Sequence, residues 1–174
     1  MPLFTNLIRS LLAGLFILLA YALTNLWQSG LLIAAVGAST YIVFLLPESQ
    51  PAGTRSILGG YACGAAAGVL CGLLQSQLGG ETAVVFCALA VFLTSFAMKQ
   101  LKAGHPPAAA MTISVTLANQ PLAMAAVALV TACALLGGKL LAQWLVRRIE
   151  MQVQPFKHQT TPSTTTTPQE KIVQ

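Results

Sequence analysis

The chain has 174 residues, of which 56% are hydrophobic and only 7% charged, with a formal net charge of +5 and a mean hydropathy of +0.75. A soluble domain carries about 25% charged residues to cover its surface, so lipid rather than water must solvate most of this one. The positive charges sit between apolar runs and form no basic stripe, which excludes nucleic acid as a partner.

Six apolar segments follow one another. The first covers residues 7–26, with Arg9 at its edge; it lacks a small-residue cleavage site and is long enough to remain as a span. Gln28-Ser29-Gly30 breaks it, and a shorter run covers residues 31–46. A polar loop, residues 47–56, leads into the third run, 57–78, which ends at Gly79-Gly80-Glu81. The fourth, 82–98, meets Lys99, Lys102 and His105. The fifth opens at Pro106-Pro107 and fades at Asn119-Gln120; the sixth, 121–146, stops at Arg147-Arg148.

A helix rises about 1.5 Å per residue, and about 20 residues cross the hydrocarbon core. Segments one, three and six meet that length, and four does so marginally. Segments two and five are short, and are expected either as tilted spans or as re-entrant half-helices whose ends protein must bury. If all six cross, Arg9, Arg55, Lys99, Lys102, Arg147 and Arg148 share one side and the outer turns carry only Glu81. The positive-inside rule favours that arrangement and places both termini in the cytoplasm. The expected fold is thus an all-α polytopic membrane protein over residues 1–150. It has two long-short-long halves, with four long spans and two short helices, in the layout of an inverted repeat. Residues 151–174, rich in threonine and proline, have almost no apolar content and are expected to be a disordered cytoplasmic tail, with partner binding or modification as the alternative.

Several features bear on chemistry. Cys63, Cys71, Cys87 and Cys133 lie inside apolar runs with no CxxC spacing, so packing residues are expected rather than a disulfide or zinc framework. Gly60, Gly64, Gly68 and Gly72 recur every four residues and would line one groove on a helix. Such a groove suits close helix packing, including a homo-oligomer seam, or a ligand against backbone. In His105-Pro106-Pro107-Ala108, proline suits the first helical turn, and a helix N-terminus attracts an anion. Lys99 and Lys102 upstream would add positive field; the plainer expectation is a rigid helix start beside ordinary lysines. Gly37, Ser39 and Thr40 would bring two hydroxyls to the short second segment, either facing a small ligand or bonding back to their own helix. Lys139 is the one charge well inside an apolar run, expected to snorkel to the interface or to lie on an anion pathway. No GxxxxGK[ST] loop, HExxH or GxSxG elbow occurs, so no enzyme, cofactor or metal is expected.

His105-Pro106-Pro107-Ala108 after a lysine-containing linker, Gly37-Ala38-Ser39 in an earlier run, and Pro47, Arg55 and Gly59-Gly60 between them occur in one order. Together, over about residues 30–145, they resemble the HPP family of integral membrane proteins. The resemblance implies a small helical protein usually described with four spans, and transport as its role. Some plant chloroplast and cyanobacterial members carry nitrite. This sequence departs from the usual pattern at Ala109, where glycine is common, at Tyr61, where histidine often follows the glycine pair, and at Thr54, where proline is common. The expected function is transport of a small inorganic anion, nitrite first, across a bacterial inner membrane. The expected substrate site is His105, Pro106, Pro107, Ala108, Lys99, Lys102, Lys139, Gly37, Ser39 and Thr40. The alternative is a non-transporting scaffold or assembly subunit.

Overall fold

The computed structural model describes residues 2–24, 30–78 and 82–153. The Gln28-Ser29 break, the Gly79-Gly80-Glu81 turn and the threonine-rich tail lie outside the described residues. Six helices follow in chain order: α1 Pro2–Thr24, α2 Gly30–Leu45, α3 Thr54–Leu78, α4 Ala83–Gln100, α5 Pro106–Thr116 and α6 Pro121–Val153, with no strand among the described residues. A single 3₁₀ turn, Gln50–Ala52, joins α2 to α3. Stretches Leu3–Ala22, Thr54–Leu78, Ala83–Gln100 and Pro121–Ile149 are long and apolar enough to cross a membrane. The chain is an all-α polytopic membrane protein.

The short fifth segment forms a helix of 11 residues rather than the full stretch to Gln120. Its last turn tightens as the Leu117 and Ala118 amides donate to the Ile113 and Val115 carbonyls. Gln120 precedes a proline and is biased out of helical geometry. Its carbonyl then accepts from Met124, which puts Pro121 in the first turn of α6, where a missing N–H costs nothing.

Neither short helix doubles back. The start of α5 lies beside Gly60 and its end beside Gly72, where Pro121 opens α6, so α5 runs parallel to α3 through the bundle. Arg9 and Arg147 share a cavity with Pro47 and Glu48, and Phe16 meets Phe44 and Gly138, so α1 is antiparallel to both α2 and α6. At about 1.5 Å per residue, α2 and α5 measure about 24 and 17 Å, less than the roughly 30 Å hydrocarbon core. Arg9, Arg55, Lys99, Lys102, Arg147 and Arg148 all belong to one end of the bundle, where α1, α3 and α5 begin and α2, α4 and α6 finish.

The packing follows the two halves. Helix α1 rests on α2 and α6, and its counterpart α4 rests on α5 and α3; α2 packs on α5, and α3 on α6. Exchanging α1–α3 with α4–α6 maps these pairings onto one another, but α3 packs far more extensively on α5 than α6 does on α2, and α5 packs on α6 where α2 and α3 barely meet. Helix α3 is the hub, and its glycine stripe receives α5. The Gly60/Gly64/Gly68/Gly72 face is therefore filled within the chain, which corrects its expectation as a homo-oligomer seam and removes the surface on which the scaffold alternative depended. A Cβ built on Gly64 would lie 2.6 Å from Thr112 Oγ1 and 2.8 Å from the Ala108 carbonyl.

One hydroxyl pair ties α4 to α5. Thr112 donates to the Ala108 carbonyl at 2.9 Å, so Thr94 must donate to Thr112 Oγ1 at 3.0 Å, both side chains being fully buried. Thr94→Val keeps the shape and leaves Thr112 paired. It is expected to cost about 1 kcal/mol or less in thermal unfolding, which a fall of several kcal/mol would contradict.

Candidate functional site

The residues of interest meet near the charged end, where α2, α3 and the start of α5 touch. Helix α4 ends at Gln100, Lys102 just beyond it takes a left-handed φ of 50°, and the Ala103 amide reaches back to the Met98 carbonyl at 2.9 Å. This C-terminal cap throws residues 103–105 across α3. They fit because α3 offers Gly59 and Gly60 there: a Cβ on Gly59 would meet Ala103 Cβ at 2.6 Å, and one on Gly60 would meet His105 Cβ at 2.7 Å. The glycine pair is the seat of the His105 side chain.

That side chain is fully buried and bonded at both nitrogens. Nδ1 lies 2.8 Å from the Pro51 carbonyl, which can only accept, so Nδ1 carries the hydrogen. Nε2 lies 2.9 Å from Ser39 Oγ, and Ser39 Oγ lies 2.8 Å from the Tyr61 hydroxyl. With a neutral ring, Tyr61 donates to Ser39, Ser39 donates to His105, and His105 donates to Pro51. A protonated ring would donate to Ser39 Oγ, and one of the two hydroxyl hydrogens, that of Ser39 or that of Tyr61, would then find no acceptor within this network. The neutral chain satisfies every member, as burial demands. Tyr61 also packs its ring against His105, with centroids 5.6 Å apart.

The family described as HPP, transmembrane region matches residues 2–154. The chain belongs to the HPP family. No curated relative and no solved structure matches it significantly. Each stretch that carries the HPP resemblance contributes to one contact between the halves: Ser39 and His105 bond to each other, and Gly59-Gly60 lie against Ala103, His105 and Ala108.

The remaining expected site residues separate into groups. Thr40 donates to Val36 in its own helix at 2.8 Å and takes no part in the network. Gly37 is half-buried with open space where a Cβ would stand. Pro107 and Ala108 are buried, Ala108 against Gly60 and Gly64 of α3, and Pro106 is exposed. The start of α5 does not present the expected amides. Pro106 and Pro107 have no N–H, and the Ala108 amide already donates to the His105 carbonyl at 2.9 Å. The prolines that begin the helix also silence its anion-binding end. Lys99 and Lys102 are exposed and stand outside the network.

Lys139 is placed differently. From α6 its Nζ donates to the Ala52 carbonyl at 2.7 Å, one residue along from the carbonyl that His105 holds. It also lines a cavity of about 200 Å³ at the charged end, together with Arg9, Glu48, Gln143 and Arg147. Tyr61, Arg9 and the Gln50–Ala52 turn were not among the expected site residues. Tyr61 carried one signal, its place directly after Gly59-Gly60; the other two carried none. Among the described residues no cluster of His, Cys, Asp or Glu could hold a metal, and all four cysteines are free.

Proposed function

We propose that this HPP-family protein is a carrier of a small inorganic anion, with nitrite the first candidate, and not an enzyme. The observation behind this reading is a buried polar contact between the two halves of the chain, Ser39 to His105, contributed by the short helix of the first half and the residue opening that of the second. Carriers built from inverted repeats place their substrate where interrupted helices of the two halves converge and move one half against the other. An anionic substrate agrees with the gathering of cationic side chains at one end of the bundle. On the positive-inside rule, that end and both termini face the cytoplasm of a bacterial inner membrane.

Purified protein in liposomes should take up nitrite, or failing that nitrate or chloride, above the rate of empty vesicles. His105→Ala and Lys139→Ala should each lower the initial rate about tenfold, the equivalent of one lost charge-assisted or buried hydrogen bond. If none of the three anions moves faster than into empty vesicles, the transport reading falls.

A further inference from the structure

We propose that the cavity between α1, the end of α2 and the last turns of α6 is an equilibrium binding site for a small free oxyanion, with Lys139 as its central donor. The inference deepens the anion-transport reading, on which the choice of ligand rests; the binding itself stands on the following geometry.

The cavity encloses about 200 Å³, room for a tri- or tetra-atomic oxyanion with part of its hydration. Three cationic side chains, Arg9, Lys139 and Arg147, line it against one carboxylate, Glu48, which leaves an excess of two positive charges. Val43, Phe44, Ala142 and Val146 supply apolar walls, and all four are buried. Cationic groups around a cleft with low-dielectric walls on one side focus potential on whatever enters it. The guanidinium groups offer planar forks, the geometry that grips a planar or tetrahedral oxyanion through two oxygens.

Lys139 gives the site its order. An ammonium group has three hydrogens, and the Ala52 carbonyl takes one at 2.7 Å. That bond fixes a flexible side chain in one place before any ligand arrives, and two donors remain. Preorganisation of this kind lowers the entropy lost on binding. The Ala52 carbonyl is itself fixed, because the Ala52 residue is fully buried and the preceding Pro51 carbonyl is held by His105. The site is therefore connected to the network of Ser39, Tyr61 and His105 through a single turn.

The test is calorimetric titration of nitrite into the full-length protein in phosphatidylcholine nanodiscs, repeated in nanodiscs containing phosphatidylglycerol. Wild type should bind. Lys139→Met should weaken binding about tenfold or more, and Lys139→Arg should restore most of it. Arg9→Gln and Arg147→Gln should each weaken it severalfold, and Glu48→Gln should tighten it. Arg148→Gln should change nothing, since Arg148 rests on the Trp144 ring, 5.4 Å from its centroid, and does not line the cavity. Arg9 is half-buried and Arg147 exposed, so their variants should remain folded and keep the test decisive even if Lys139→Met does not. Absence of binding by wild type, or affinities unchanged in Arg9→Gln and Arg147→Gln, would overturn the proposal. So would loss of nitrite binding in the phosphatidylglycerol discs, which would assign the cavity to a lipid headgroup. Binding that follows these variants without vesicle uptake would sink only the transport reading. Uptake that ignores Arg9, Lys139 and Arg147 would sink only the site.

Discussion

Gly64→Leu is expected to leave no folded protein recoverable in detergent, the largest loss of any substitution considered. The position has no space for even a first carbon: a Cβ would meet Thr112 Oγ1 at 2.6 Å, the Ala108 carbonyl at 2.8 Å and Met111 Cε at 2.9 Å. Two of those three are fixed, since Thr112 is bonded to Ala108 and Ala108 O belongs to the backbone. The same holds at Gly68, where Val115 Cβ would lie at 2.7 Å and the Thr112 carbonyl at 2.9 Å. Helix α5 would have to lift off α3, which no side-chain movement can prevent. Gly64→Ala, a single methyl, should lower stability by about 1–3 kcal/mol, the usual cost of overpacking. Gly37→Ala makes the contrast: nothing lies within 4 Å of its Cβ, and the better helix former should gain up to about 1 kcal/mol. Thermal unfolding of the three variants reads the difference, and a wild-type melting curve for Gly64→Leu would show that α5 does not occupy the groove.

Ser39→Ala should be costly in another way. It removes one hydroxyl and orphans two buried groups, His105 Nε2 and the Tyr61 hydroxyl, both on fully buried residues. Each unpaired group costs about 1–3 kcal/mol, so a loss of about 2–6 kcal/mol is expected. Tyr61→Phe deletes the first donor of the chain and leaves Ser39 to His105 and His105 to Pro51 intact; it should cost about 1 kcal/mol or less. The double variant separates this account from simple loss of packing. Adding Tyr61→Phe to Ser39→Ala removes one of the orphans and should recover part of the stability. Simple additivity of the two losses would show that the hydroxyls are not coupled.

The helices were legible because lipid imposes its own grammar: apolar runs of spanning length with charges gathered between them. Residues 57–78 and 121–146 could hardly be anything else. The glycine stripe on α3 announced a groove but not its occupant. The occupant, α5, was too short and too weakly patterned to declare a face, although Ala108, Thr112 and Val115 lie at helical spacing opposite the stripe. The Pro106-Pro107 pair marked the helix start correctly, yet the same two residues removed the amides that would have made it an anion site. Ser39 and Thr40 looked alike in sequence and diverged in the fold. Thr40 bonds within its own turn, whereas Ser39 bonds to residues 22 and 66 positions away. Periodicity reports on neighbours along one helix, so neither contact leaves a trace in it. The partner of Lys139, 87 positions back, is a backbone carbonyl and has no side-chain identity to read.

The Gln50–Ala52 turn belongs to the first half, yet two side chains of the second half, His105 and Lys139, hold its consecutive Pro51 and Ala52 carbonyls. Consecutive carbonyls lie in neighbouring peptide planes hinged at one Cα, so the two grips act on the same short turn. A sliding of α5 and α6 past α3 would load both bonds within three residues of backbone, so that turn is where a displacement of the second half would first be felt by the first.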